Sequence, residues 1–273
     1  MRNRQATIVP ASPVEQLMTK TELAIDTPSG TMSTLLLSPD GAGPFGAVIL
    51  FVDAGGTRDA LTEIGERIAK LGYLVAIPDL FFRSGSPLDI LPADRPRDMK
   101  AFERVFTDPV LGKLFGAKYY GPALSYDHLE EEVRPLLAAL RARPDCNGKI
   151  GTTGYCMGGN ASLRVATLLG ADIAVAASFH GGGLVTDQPD SPHLRVKNIA
   201  AKTYVAGASE DRMFPDAAKT VLTQAFADAG IDATIETYPA RHGFAVADNS
   251  AYDAAAASRH DAALAALFAA HLR

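Results

Sequence analysis

The sequence is poor in cysteine: 273 residues carry two, Cys146 and Cys156. So few exclude a disulfide framework and make a reducing, cytoplasmic setting the expectation. Long hydrophobic runs are missing as well. The longest, such as GAVILFV, have strand length, and none is long enough to span a bilayer. The opening MRNRQATIVPASPVEQ has no apolar segment of the kind a signal peptide needs, so none is expected. Nor is there an excess of positive charge. Lys and Arg number 26 against 31 Asp and Glu, for a formal net charge of -5, and no basic stripe appears. That leaves no reason to expect nucleic acid or an anionic membrane as partner. Internal repeats and inter-domain linkers are also lacking. What is present, 47% hydrophobic and 21% charged residues, suits one globular domain with a large core.

Along the chain, TELAID and TMSTLLLS flank the turn signal Pro28-Ser29-Gly30, which predicts a hairpin. GAVILFVDAGG reads as a buried strand entering a glycine turn. In ALTEIGERIAKLG, Leu61, Ile64, Ile68 and Leu71 recur at helical spacing, with Gly72 as the stop. YLVAIPDL is the next buried strand. Strand, helix, strand at this length is a βαβ unit with parallel pairing. Residues 84–125 form an irregular, proline-rich excursion with one short helix expected at Met99–Val105. Such an excursion often becomes a lid or a site wall. Its Phe115, Tyr119 and Tyr120 either line a pocket or pack.

A helix capped by Ser125 follows, bent at Pro135. Cys146 is placed in a turn before the next strand, KIGTTGYC. After that strand come the helix MGGNASLRVATLLG, three more strands (IAVAASFHGG, IAAKTYVAGA, ATIETYPA) and two more helices. The expected fold class is α/β: a mostly parallel central sheet with helices on both faces. The expected organisation is an N-terminal extension over residues 1–20 and a single domain over 21–273.

In such a sheet, ligands gather at the carboxyl ends of strands. Cys156 sits at one, in GTTGYCMGGN, with Gly154 and Gly158 two residues to either side. A nucleophile on a tight strand-to-helix turn takes strained dihedrals, and its neighbours at these offsets come too close for side chains. The helix N-terminus favours a thiolate, and the N–H of Met157 points where an oxyanion develops. The plainer reading is a buried cysteine in a glycine-rich helix start.

Partners shift the balance. His242 follows a predicted strand in YPARHGFAV, with His180 in SFHGGG as the rival base. Asp211, in AGASEDRMFP, follows another strand, with Glu210 as its competitor. The order Cys156, Asp211, His242 is nucleophile, acid, histidine, each placed after a successive strand end. Asp53 ends the first central strand in VDAGG, either as a turn-former or as a site residue. The neighbouring Ala54 N–H is the second oxyanion donor expected of this arrangement.

GYCMGG, PDLFFR, AGASEDRMFP and HGFAV together resemble the dienelactone hydrolase (carboxymethylenebutenolidase) family, from about Thr21 to the C-terminus. The resemblance implies an α/β-hydrolase fold with Cys156 as nucleophile, His242 as base and Asp211 as its orienter. It implies a small-molecule ester or lactone substrate and neither metal nor organic cofactor. It also implies that Arg83 holds a substrate carboxylate. Three positions depart from the family's pattern. Asp53 stands for a glutamate, Val246 for a second substrate-binding arginine, and Gly243 for a serine. One cation in place of two weakens the expectation of an anionic substrate. Two other classes remain open on the residues alone. One is a non-catalytic or redox-sensing binding protein of the same fold. The other is a dinucleotide site built on DAGGTRDAL and Asp79, although these glycines do not spell G-x-G-x-x-G. The oligomeric state is not legible.

Overall fold

The computed structural model describes residues 18–273, so the N-terminal extension falls, up to residue 17, outside the described residues. β1 (Thr19–Thr27) and β2 (Gly30–Ser38) form the expected hairpin around Pro28-Ser29. β3 (Phe45–Phe51), α1 (Asp59–Lys70) and β4 (Leu74–Pro78) form the βαβ unit, with β3 and β4 parallel. Leu61, Ile64 and Ile68 of α1 are buried as their spacing predicts. Leu71 is not: it is the C-cap residue and 40% exposed, because the helix ends before its turn reaches the sheet.

The excursion is more helical than expected. It holds α2 (Met99–Phe102), α3 (Pro109–Phe115) and α4 (Gly121–Leu124), joined by tighter and wider turns. The side chain of Asp98 accepts from Ala101 N at 2.8 Å, and that of Asp108 accepts from Val110 N at 2.9 Å. Pro109 occupies the first turn of α3, where its missing N–H costs nothing. Prolines read as breakers are here partly helix starters. Phe115 and Tyr119 pack rather than line a cavity: their rings stack 5.9 Å apart, and Tyr119 meets Phe81 edge-on.

α5 (Tyr126–Arg141) contains Pro135, and the Ser125 side chain makes no capping bond. β5 (Cys146–Tyr155) starts earlier than expected, so Cys146 lies within the strand, opposite Phe45. Then come α6 (Met157–Leu169), β6 (Val175–Phe179), β7 (Lys202–Glu210), α7 (Asp216–Ala229), β8 (Ala233–Arg241) and α8 (Ala254–His271). The eight strands order as β1-β2-β4-β3-β5-β6-β7-β8, parallel from β4 through β8. β1 and β2 join this parallel set antiparallel, at one edge. β3, β4 and β6 are buried almost throughout, as strands covered on both faces must be. α1 and α8 share one face, linked by the Arg67–Asp261 ion pair, while α5 and α6 pack together against β5. This is the α/β-hydrolase fold.

Candidate active site

The register of β3 on β5 sets Phe51 opposite Gly154. The chain leaving β3 at Asp53 therefore runs beside the turn at Cys156. That turn is strained: Cys156 has φ 53° and ψ -114°, in a region that L-residues rarely enter. Its carbonyl oxygen accepts from the N–H groups of Gly159, Asn160 and Gly182, which hold the turn shut. A Cβ on Gly154 would lie 2.0 Å from the Gly158 carbonyl oxygen, and one on Gly158 would lie 2.1 Å from that of Phe51. Both glycines are fixed by close backbone approach, the physical reason anticipated from the sequence.

Asp211 follows β7 directly. Its Oδ1 accepts from the N–H groups of Met213 at 2.8 Å and Phe214 at 3.2 Å, which aim the side chain. Its Oδ2 lies 2.9 Å from Nδ1 of His242, which follows β8. The Asp211 side chain is fully buried and that of His242 is 24% exposed. Burial works to lower the His242 pKa, but the charge of Cys156 and the bond to Asp211 outweigh it and raise the pKa to about 10. Nε2 of His242 is itself buried and has no hydrogen-bond partner. Glu210, the competing acid, is exposed at the end of β7 opposite Arg241.

Cys156, Asp211 and His242 do not follow consecutive strands of the sheet: β6 lies between β5 and β7 and carries His180 at its end. His180, the rival base, is fully buried, with φ 38°. Its Nδ1 accepts from Cys156 N at 3.2 Å, which leaves its proton on Nε2. Its ring meets His242 edge-on, with centroids 5.2 Å apart. Burial first, then the neighbouring His242 and His260, push its pKa well below the usual histidine value. A neutral imidazole that accepts from the backbone of the turn supports the turn rather than exchanging protons with substrate.

Asp53, Ala54, Met99, Phe106, Met213 and Asn249 line, among others, a cavity of about 410 Å³ that also reaches Cys156, His180, Asp211 and His242. Met157 is the first residue of α6, so its N–H has no partner within the helix. Asp53 does not point freely into this space. Its two oxygens accept from Nη1 and Nη2 of Arg58 at 2.6 and 2.9 Å. Arg58 in turn donates from Nε and Nη2 to Asp248 at 2.7 and 2.9 Å. Arg58 was not singled out from the sequence. Its only signal there is a cation five residues beyond Asp53 in a glycine loop.

Arg83 is not brought to the cavity. Its guanidinium pairs with Glu132 of α5, whose carboxyl is fully buried, and lies 4.7 Å over the Phe82 ring. Burial raises the Glu132 pKa to about 7 against the pull of Arg83. An uncompensated carboxylate inside the helical layer is so costly that it captures the nearest guanidinium. Val246 is fully buried, and Gly243 has φ 100° with a would-be Cβ 2.5 Å from the Asn249 side chain, so no serine fits there. Asp79 folds back on its own loop, accepting from Phe81 N at 2.9 Å.

Comparison with known proteins identifies the family and the fold. The sequence profile of the dienelactone hydrolase family matches residues 32–272. Carboxymethylenebutenolidase of Pseudomonas putida is 28% identical over 236 residues, 84% of this chain and 86% of that protein. Hydrolase tropI of Talaromyces stipitatus is 27% identical over 231 residues, 80% of each. A crystal structure of a dienelactone hydrolase-like promiscuous phosphotriesterase from metagenomic libraries superposes with a TM-score of 0.66. It has 20% identity and covers 92% of this chain and 98% of its own, a likeness that speaks for the fold. With the fold, the strained cysteine turn and a family profile that spans almost the whole described chain, the protein belongs to the dienelactone hydrolase family.

Proposed function

We propose that the protein hydrolyses an ester or lactone bond of a small molecule by a Cys156–His242–Asp211 triad. The carrying observation is the 2.9 Å contact of Asp211 with His242 in the same cavity as Cys156 on its strained turn. The thiolate of Cys156 attacks the carbonyl carbon. The oxyanion that forms is held by the N–H groups of Met157 and Ala54, each worth roughly 3 kcal/mol in comparable sites. The tetrahedral intermediate collapses and the C–O bond breaks. The leaving alkoxide takes a proton from His242, whose raised pKa keeps it protonated in the resting state. The thioester left behind is then opened by water. Nε2 of His242 takes the water proton and keeps it, the Cys156 sulfur departs as thiolate, and the resting pair is restored. Asp211 fixes the tautomer by holding Nδ1–H throughout.

No step calls on a cofactor. A cavity of about 410 Å³ is sized for a small molecule. Both cysteines are free, which suits a reducing, cytoplasmic compartment. The test is release of p-nitrophenolate from p-nitrophenyl butyrate by the wild type and by Cys156→Ala. Turnover should vanish in the alanine variant while its circular dichroism spectrum stays that of the folded wild type. Equal turnover in both proteins would remove Cys156 from the reaction.

A further inference from the structure

The cations that a charged substrate would seek are already engaged. Arg83 is held by Glu132, away from the cavity. Arg58 is held through a two-pronged contact by Asp53 and another by Asp248, and its side chain is 13% exposed. Two carboxylates around one guanidinium leave this cluster with a net negative charge next to the nucleophile turn. At the mouth, Arg212 and Arg241 share the cavity wall with Glu103 and Glu210, so the rim is balanced. Both arginines are exposed, where water and salt weaken any hold on an anion.

Beside these charges and the polar Thr107, Asn249 and Ser250, the wall carries large apolar side chains. Phe106 is 54% exposed and Met213 is 47% exposed, yet both line the cavity, as does buried Met99. Phe106 is held in place from behind by edge-on contacts with Phe102 at 5.8 Å and Phe115 at 6.1 Å. Large apolar side chains fixed at a site mouth bind apolar surface.

We propose that this site takes uncharged esters or lactones with an apolar acyl or alcohol group and discriminates against carboxylate-bearing ones. The Asp53–Arg58–Asp248 cluster sets the charge preference and Phe106 with Met213 sets the apolar one. The inference rests on the ester-hydrolase reading of the same cavity. Among the described residues the buried cations near this cavity are paired, Arg58 with Asp53 and Asp248 and His242 with Asp211, so a substrate carboxylate would enter beside Asp53 without one to receive it, and like charges at close quarters are strongly disfavoured. An alkyl chain would instead cover Phe106 and Met213.

The experiment compares p-nitrophenyl hexanoate with the mono-p-nitrophenyl ester of adipic acid, which differs by a terminal carboxylate. Each is measured against the Cys156→Ala protein as blank, for the wild type and for Asp248→Asn. The expected result is a kcat/KM about tenfold or more higher for the hexanoate in the wild type. In Asp248→Asn, which frees one side of Arg58, that ratio should narrow at least about threefold. Adipate monoester turned over as fast as hexanoate would overturn the proposal, even with the triad intact. A ratio that Asp248→Asn leaves unchanged would remove Arg58 as its source and overturn the proposal as stated. Release no faster than the blank with both esters would instead bring down the ester-hydrolase reading, and this inference with it.

Discussion

On one side of the cavity, Cys156, Asp211 and His242 stand at the ends of β5, β7 and β8. On the other, Met99, Glu103 and Phe106 stand on short helical turns of the excursion. The first wall is placed by a ladder of parallel strands whose registers leave little freedom. The fit is tight: a Cβ on Gly158, at the start of α6, would lie 2.1 Å from the Phe51 carbonyl oxygen of β3. The second wall is placed by side chains: an aromatic cluster of Phe102, Phe115, Tyr119 and Phe81, and the buried Arg83–Glu132 pair. The proposed chemistry is thus mounted on backbone, and the surface proposed to meet the variable part of a substrate is mounted on packing. The second can change without disturbing the first.

Breaking the first wall should cost activity and little stability. Asp211→Asn keeps the volume but lets the His242 imidazole turn to the wrong tautomer, and kcat should fall about 10³ to 10⁴-fold. Steady-state kinetics on a p-nitrophenyl ester will measure it, with the melting temperature as control.

Breaking the second wall should do the reverse. Glu132→Ala strands Arg83 in the helical layer and should destabilise the fold by about 3–5 kcal/mol. Arg83→Met with Glu132→Met should recover most of that loss, as read by urea unfolding. Because Arg83 does not line the cavity, kcat/KM per folded molecule should move little; a large fall in the double variant would place Arg83 at the substrate.

The two walls should also separate by pH. The Glu132 pKa is raised from 4.5 to about 7, an acid whose charged form the fold disfavours. Its contribution is complete below its unfolded value and is lost as pH rises toward 7. The His242 pKa is raised from 6.5 to about 10, so its contribution is complete below 6.5 and is lost as pH rises through 10. Melting temperatures across pH should therefore show two declines. Glu132→Gln should remove the lower one, and Cys156→Ala should shrink the upper one to the part that Asp211 sustains. A single decline that survives both variants would contradict the assignment.

The smallest effect belongs to Phe106→Ala. With 54% of its surface already in water, its loss should cost under about 1 kcal/mol of stability. KM for p-nitrophenyl hexanoate should rise about threefold while that for the acetate stays put.

Much of the first wall was legible in the sequence. The hairpin at Pro28-Ser29-Gly30, the buried strand GAVILFV and the Gly154/Gly158 pair announce themselves because each depends on local backbone geometry or on an unbroken apolar run. The second wall was not. α3 and α4 were hidden because proline counts as a breaker until its place in a helical turn is known. Arg83 is expected from the resemblance to hold a substrate carboxylate, and its actual partner Glu132 lies 49 positions on, in α5. The same holds for Arg58 and Asp248, 190 positions apart. His180 stays open as a rival base on the sequence because its burial and the bond from Cys156 N–H to its Nδ1 come from the fold.

By itself the sequence determined the strand and helix alternation, the glycine-flanked cysteine turn and the chain order of the proposed nucleophile, acid and histidine. These follow from periodicity, from glycine at positions where a Cβ would strike backbone, and from residues that each end a strand. Tertiary structure alone decided which histidine meets which carboxylate, and which arginine is free and which is engaged. A charge has no meaning for a substrate until its nearest opposite charge is known, and here those neighbours come from distant parts of the chain that only folding brings together.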